Sequence, residues 1–230
     1  MTTLVLLPGL DGTGELFADF VAALGPGVEV IVVSYPRDQP QGYSELEAIA
    51  RSLLPEDRPY VLLAESFSGP IGIAIAASNS PGLIGLVLCC TFAKLPFPFG
   101  KWMQHLAGIA PVSLIPQSSL DLVLLGRHMT RDLRERFAMT LNSVAPEVLR
   151  RRAQDALSVD QTEQLANIRV PVLCLCASED PLISRDATQR MANLIPASEV
   201  AVFDAPHFLL QVRPREAAAA VTHFVATLRN

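Results

Sequence analysis

The sequence predicts an α/β protein with a mainly parallel sheet of about six strands, helices on both faces and a helical cap. Short, continuous apolar runs recur along the chain, and helical segments separate them. Continuous runs are typical of strands covered on both faces, and alternation with helices favours a parallel sheet with right-handed crossovers. A third observation indicates the cap, because no convincing strand lies between the fourth and fifth runs.

The six apolar runs define the predicted strands. We predict strands within residues 4–7, 28–35, 60–64, 83–92, 170–177 and 199–203. We predict helices over residues 15–24, 43–54, 67–77, 184–194 and 214–228. This succession is the pattern of repeated strand–helix–strand units.

The long segment without strands interrupts this alternation. It begins with Leu95-Pro96 and continues as amphipathic helical segments to about residue 167. We therefore predict a core of residues 1–94 and 168–230, with a helical cap (lid) inserted at residues 95–167. A cap packs against its core and also lines a pocket, so its apolar side chains are candidate substrate contacts: Phe97, Phe99, Trp102 and Met103.

Composition excludes several classes of protein. The 230 residues suit one large domain, and a chain with 50% hydrophobic and 18% charged residues is not disordered. A net charge of −5 argues against nucleic-acid binding, which requires a basic surface. Residues 66–93 carry no charge, but the turn-forming residues 78–82 divide them. Neither half reaches the roughly 20 residues of a transmembrane helix, so we expect no stable membrane insertion.

The N-terminus and the cysteines bear on the compartment. The chain starts with Met1-Thr2-Thr3 and a short apolar run, without a basic region or cleavage site, so we expect no signal peptide. The cysteines lie inside apolar runs, and their spacing does not match a structural zinc site. We interpret them as buried free thiols of a cytoplasmic protein, and we expect no metal or cofactor.

A glycine-rich loop, residues 8–14, follows the first predicted strand. Gly9 and Gly14 have the spacing of a phosphate-binding loop, but Glu15-Leu16 stands where that loop needs Lys-Ser/Thr. Without the lysine, nucleotide binding is disfavoured. The glycines still allow a tight turn that presents backbone N–H groups to an oxyanion.

A serine follows the third predicted strand in the stretch Ala64-Glu65-Ser66-Phe67-Ser68-Gly69. A nucleophile elbow requires a serine on a strained strand-to-helix turn, with small residues two positions away on either side. Ala64 and Ser68 meet this requirement. The alternative is a serine that merely caps a buried helix.

Two further loops complete a possible catalytic set. Asp180 follows the fifth predicted strand, and His207 follows the sixth. Ligands bind at the carboxyl ends of strands in open α/β sheets, so these side chains and Ser66 are expected to meet. The order Ser, Asp, His strengthens the prediction of a catalytic triad. Glu179 and Asp204 are the alternative acids.

Over nearly its full length the chain resembles the α/β-hydrolase superfamily. It is similar to small bacterial carboxylesterases and to the pimeloyl-carrier-protein methyl ester esterase type, while two of its loops resemble acyltransferases that make phytyl esters. Pro8-Gly9 and Ala64 depart from the His-Gly and the first elbow glycine of the family. The chain also begins at the strand before the oxyanion loop, so the first two strands of the family are expected to be missing.

The chemistry assigns roles to these groups. Ser66 is the expected nucleophile, His207 the general base and acid, and Asp180 the group that orients the imidazole. The backbone N–H groups of Leu10 and Phe67 are expected to form the oxyanion hole. We therefore predict a carboxylic ester hydrolase that acts on a small-molecule ester. The alternatives are an acyltransferase, or a thioesterase or esterase acting on acyl carrier protein or CoA, with the same triad.

Arginines concentrate in the predicted cap. One interpretation is a docking face for an acidic partner such as an acyl carrier protein. The other is a solvated helical face with the pairs Asp132–Arg136 and Glu147–Arg151 at i,i+4 spacing. The residues concerned are Arg127, Arg131, Arg134, Arg136, Arg150, Arg151 and Arg152.

Overall fold

A computed structural model describes residues 2–95 and 126–228 of the chain. Its six strands pair in parallel in one sheet of order β2-β1-β3-β4-β5-β6. This confirms the predicted parallel sheet. The strands are β1 (Thr3–Leu7), β2 (Glu29–Val32), β3 (Tyr60–Glu65), β4 (Leu83–Cys89), β5 (Val172–Ala177) and β6 (Ser198–Phe203).

Helices connect the strands at the positions that the sequence predicts. No helix in the described parts of the chain is long and apolar enough to cross a bilayer. The α-helices are α1 (Ala18–Leu24), α2 (Tyr43–Ser52), α3 (Gly69–Ala77), α4 (Arg131–Asn142), α5 (Pro146–Ser158), α6 (Arg185–Ala192), α7 (Leu209–Val212) and α8 (Pro214–Thr227).

The sheet separates two hydrophobic layers, as the continuous apolar runs predict. In β1, Val5 and Leu7 join the core on one face, and Leu4 and Leu6 join the core on the other. Side chains of α2, α3 and α6 complete the first core, whereas α1 and α8 complete the second. Burial on both faces explains why the strands lack polar alternation.

The run at residues 28–35 is longer than the strand it forms. Only Glu29–Val32 is strand, although Val33 and Tyr35 are buried in the same core. Beyond the strand, the backbone N–H of Tyr35 donates to the carbonyl oxygen of Gly12 at 2.7 Å. The chain thus leaves the sheet to pack against the loop after β1.

The position of β1 makes the direction of the chain connections reverse at the carboxyl edge of the sheet. β1 lies between β2 and β3, so the chain turns to one side after β1 and to the opposite side after β3. Loops that diverge at such a reversal leave space for a ligand. Residues 8–14 and Ser66 both lie at this point.

Residues 126–167 of the predicted cap are mostly helical. They contain α4, α5 and two 3₁₀ turns, Gly126–His128 and Thr162–Asn167. Lys94 and Asp160 form an isolated antiparallel β-bridge that joins the two ends of the predicted cap. Their side chains also pair, with Nζ and Oδ2 2.7 Å apart. The four predicted pocket residues, Phe97, Phe99, Trp102 and Met103, lie outside the described residues. The division into core and cap stays a prediction.

The close approach of α3 to the sheet leaves no room for a side chain at Gly72. A Cβ on Gly72 would lie 2.7 Å from the Cβ of Ala64 in β3. We expect Gly72→Ala to lower the free energy of unfolding by about 1–3 kcal/mol because of overpacking. Urea denaturation followed by circular dichroism measures this change.

Gly27→Ala is the matched control. A Cβ at this exposed glycine meets no described atom within 4 Å, so we expect no loss of stability. Equal denaturation midpoints for the two variants would contradict the packing of α3 described above.

Candidate active site

Ser66 occupies a left-handed turn between β3 and α3. Its φ is 47°, a conformation that costs a non-glycine residue energy and persists only where its surroundings enforce it. The hydroxyl of Thr91, which follows β4, donates a hydrogen bond to the carbonyl oxygen of Ser66. The segment after the neighbouring strand therefore supports the turn at Ser66.

The structure brings the three predicted triad residues into one hydrogen-bonded row. Ser66 Oγ lies 2.8 Å from His207 Nε2, and His207 Nδ1 lies 2.7 Å from Asp180 Oδ2. The side chains of His207 and Asp180 are almost fully buried, at 5% and 1% exposure. When His207 Nδ1–H donates to the carboxylate, Nε2 is left free to accept from the serine hydroxyl.

The second carboxylate oxygen of Asp180 is held by the backbone. Oδ1 accepts from the N–H groups of Leu182 at 2.8 Å and Ile183 at 2.9 Å. These bonds orient the carboxylate and compensate for its burial. Asp180 is therefore fixed by its own loop before it meets the imidazole.

The alternative acids are engaged elsewhere. Arg127 Nη2 lies 2.5 Å from Glu179 Oε1 and 2.9 Å from Asp204 Oδ1. His128, Glu179 and Asp204 also place possible metal-ligand atoms within 4.8 Å of one another. Because the guanidinium already lies against both carboxylates, its positive charge opposes a cation there. Asp180 is thus the acid that reaches His207.

The two predicted oxyanion donors belong to adjacent backbone segments. Ser68 Oγ donates to the carbonyl oxygen of Pro8, which ties the elbow to the loop after β1. The same Oγ is 3.0 Å from the hydroxyl of Tyr35. This contact brings the loop of Leu10 and the start of the elbow helix, with Phe67, to one side of the sheet edge.

The Phe67 ring is fixed by Tyr43 of α2. The two rings stack with their centroids 4.7 Å apart, and Tyr43 Oη donates to the Phe67 carbonyl oxygen at 2.9 Å. Burial raises the pKa of Tyr43 well above its usual value, so the phenol remains a donor. Phe67, the residue after Ser66, therefore has a defined backbone position.

Glu65 is a buried carboxyl group at the site, one that the sequence pattern did not indicate. It immediately precedes Ser66 and accepts a hydrogen bond from Gln211 Nε2 at 2.9 Å. Burial, and secondarily the nearby Asp11, raise its pKa to about 7. The hydrogen bonds from Gln211 and the Gly9 N–H, and the proximity of His207, act in the opposite direction. A charged residue at the end of an apolar strand was the available sequence signal.

The arginine cluster divides between surface and interior. Arg136 pairs with Asp132 as predicted, at 3.0 Å, but Arg151 pairs with Asp155 at 2.9 Å rather than with Glu147. Arg152 is only 1% exposed. Its inclusion in a docking face is therefore wrong, because its guanidinium lies inside the protein.

The raised pKa of Glu65 makes stability depend on pH. The protonated carboxyl is favoured in the folded chain up to pH about 7, whereas the unfolded chain loses this proton near pH 4.5. Stability from this group is present below pH 4.5 and is lost as the pH rises towards 7. The free energy of unfolding of Glu65→Gln minus that of the wild type is the quantity to compare. We expect this difference to be roughly 2–3 kcal/mol larger at pH 8 than at pH 4.5.

Urea denaturation at a series of pH values tests this expectation. Gln can donate to the Gln211 Oε1 atom, which has no hydrogen-bond partner among the described residues. Glu147→Gln, at an exposed site, is the control and leaves the pH profile unchanged. Identical profiles for wild type and Glu65→Gln would contradict the assignment.

Known proteins resemble this chain in sequence and fold. A family model described as "Alpha/beta hydrolase family" matches residues 4–221. A protein of Serratia proteamaculans (strain 568) named "Putative carbamate hydrolase RutD" is 24% identical over 223 residues, covering 86% of this chain and 81% of that protein.

Solved structures share the fold at low sequence identity. A thermophilic esterase from Thermogutta terrifontis superposes with a TM-score of 0.86 at 19% identity, covering 100% of this chain and 91% of its own. A bromoperoxidase from Bacillus anthracis superposes with a TM-score of 0.84 at 16% identity, covering 98% of this chain and 92% of its own. The sheet, the helices and the extent of the family match lead to one conclusion: the chain belongs to the alpha/beta hydrolase family.

Proposed function

We propose that this protein is a serine hydrolase that cleaves carboxylic esters through an acyl-enzyme. The observation that carries the proposal is the continuous row from Ser66 Oγ through His207 to Asp180, with contacts of 2.8 and 2.7 Å. A serine hydroxyl is a weak nucleophile unless a base accepts its proton, and this row supplies the base. Family membership supports a hydrolytic reaction.

Acylation begins when Ser66 Oγ attacks the ester carbonyl carbon. His207 Nε2 takes the hydroxyl proton, and the imidazolium that forms is stabilised by Asp180. The tetrahedral intermediate carries its negative charge on the former carbonyl oxygen, which the N–H groups of Leu10 and Phe67 are proposed to bind. When the carbon–oxygen bond to the alcohol breaks, His207 protonates the leaving oxygen.

Deacylation repeats these steps with water. His207 takes a proton from the water, whose oxygen attacks the acyl carbon. The second intermediate collapses to a carboxylic acid as His207 returns the proton to the departing Ser66 Oγ. An alcohol could replace the water without any change in the residues involved. Acyl transfer is therefore the second candidate reaction, and carrier-protein or CoA esters remain candidate substrates.

Carbamates are a further substrate class to compare with esters. The Serratia relative carries a carbamate hydrolase name, and a carbamate offers the same carbonyl carbon to a serine. Its carbonyl is less electrophilic, so carbamate turnover would place a greater demand on the oxyanion donors. A panel of p-nitrophenyl esters and carbamates of increasing acyl length distinguishes the two substrate classes.

Removal of the nucleophile tests the proposed mechanism. We expect Ser66→Ala to lower kcat/KM for p-nitrophenyl acetate by roughly 10⁴–10⁶-fold, because no other group supplies the covalent step. Ser158→Ala, at an exposed helix end, is the control and keeps wild-type activity. Ester hydrolysis that survives in a folded Ser66→Ala variant would refute the assignment.

Covalent labelling provides an independent test. A fluorophosphonate probe should modify wild-type protein once, at Ser66, because its phosphorus reacts with the activated oxygen. Mass spectrometry of the tryptic peptide identifies the site. Labelling of another residue, or unchanged labelling after Asp180→Asn, would contradict the proposed triad.

The choice between water and alcohol is tested by partitioning. We expect the acid to be the main product from p-nitrophenyl acetate in the presence of 1,2-propanediol at ~0.5 M. Product analysis by chromatography measures the ratio of acid to new ester. A dominant new ester would favour the acyltransferase alternative.

A further inference from the structure

A buried arginine joins the described cap helices to the loop of the candidate oxyanion hole. Arg152 lies in α5 and is 1% exposed. Its Nη1 donates to the carbonyl oxygens of Leu10 at 3.0 Å and Asp11 at 2.6 Å, and its Nη2 donates to Pro36 at 2.8 Å. One planar guanidinium thus holds the loops after β1 and β2 from the cap side.

The space for this guanidinium is built into the loop. Gly12 has φ +72°, and a Cβ there would lie 2.7 Å from Arg152 Cζ and 2.9 Å from Nη2. Tyr35 places its ring 5.7 Å below the guanidinium carbon. A glycine that can adopt this conformation is needed both for the turn and for the approach of the arginine.

The loop carries its own negative charge close to this site. Asp11 Oδ1 accepts from the backbone N–H of Thr13 at 2.8 Å and from its hydroxyl at 2.6 Å. Burial lowers the pKa of Arg152, while the charge of Asp11 opposes that shift. An arginine guanidinium is not deprotonated in proteins, so its hydrogen bonds to these carbonyl oxygens are charge-assisted and strong.

These contacts restrain the peptide groups next to the proposed oxyanion donor. Arg152 holds the carbonyl oxygens of Leu10 and Asp11, and the Gly12 N–H donates to the Gly9 carbonyl oxygen at 3.0 Å. Leu10 lies within this closed turn, so the direction of its N–H follows from the turn. On the opposite side, Ser68 holds the carbonyl oxygen of Pro8.

We propose that Arg152 is a positioning residue that fixes the oxyanion loop and couples α5 to catalysis. This inference rests on the proposed ester hydrolysis by Ser66. A guanidinium can bond three carbonyl oxygens in fixed directions, whereas an ammonium is a point charge on a flexible stem. A displacement of about 1 Å in a catalytic group can cost on the order of 100-fold in rate.

Arg152→Lys and Arg152→Met test the proposal with p-nitrophenyl acetate. We expect kcat to fall about 10–100-fold in both variants, with KM within about threefold of wild type, because the loop acts on the transition state. Arg150→Met is the matched control on the exposed face of the same helix and keeps the wild-type kcat. Arg152→Lys decides the test if Arg152→Met does not fold.

A transition-state analogue separates positioning from a merely structural role. An aryl trifluoromethyl ketone forms an oxyanion on the serine, so its affinity should fall by the same factor as kcat/KM. Binding of the unreactive methyl ketone should stay unchanged. Circular dichroism and urea denaturation identify the folded variants that enter the comparison.

The outcomes distinguish this inference from the proposed function. If the wild-type protein shows no ester hydrolysis that depends on Ser66, the proposed function is overturned. If the wild type is active but folded Arg152 variants keep its kcat, the positioning role is overturned. A rise in KM with unchanged affinity for the trifluoromethyl ketone also overturns it. Equal losses in kcat/KM and analogue affinity support it.

Discussion

The placement of β1 between β2 and β3 is the constraint on which the candidate site depends. Parallel pairing aligns the carboxyl ends of all six strands at one edge. The loops after β1 and β3 leave that edge in opposite directions, and Ser66, Asp180 and His207 meet there. Segments far apart in the chain are thus brought within hydrogen-bond distance by backbone pairing and by the two apolar cores.

Buried polar groups at this edge need partners, and the loops supply them. The Thr91 hydroxyl donates to the Ser66 carbonyl oxygen, and the Ser68 hydroxyl donates to the Pro8 carbonyl oxygen. Backbone N–H groups after β5 donate to the Asp180 carboxylate. An unpartnered group in such surroundings costs on the order of 1–3 kcal/mol. The same network that satisfies these groups therefore also fixes the positions that an acyl transfer would need.

Much of the fold follows from local features of the sequence. Continuous apolar runs and the turn residues behind them locate the strands, and the order of Ser66, Asp180 and His207 indicates where their side chains meet. The extent of β2 did not follow, because Val33 and Tyr35 are as apolar as strand residues but pack from a loop. Apolar residues indicate burial, and burial alone does not show where a strand ends.

The interior position of Arg152 could not be predicted for a similar reason. Its helix carries neighbouring arginines, and a local pattern does not reveal which of them meets carbonyl oxygens far away in the chain. The carbonyls of Leu10 and Pro36 lie 142 and 116 residues from it in sequence. The environment of Glu65 likewise could not be predicted, because its hydrogen-bond partner Gln211 lies 146 residues away in the sequence.

Arg127 links the turn at Gly126–His128 to the two loops that carry Asp180 and His207. Its ion pairs with Glu179 and Asp204 are exposed, since 64% of the arginine side chain is accessible. Such pairs are individually weak, about 0–1 kcal/mol, and dissolved salt screens them over roughly 8 Å at physiological ionic strength. Ionic strength thus sets how firmly the turn at Gly126–His128 is held against the sheet edge. The hydrogen bond between His207 and Asp180 is buried, so dissolved salt screens it much less.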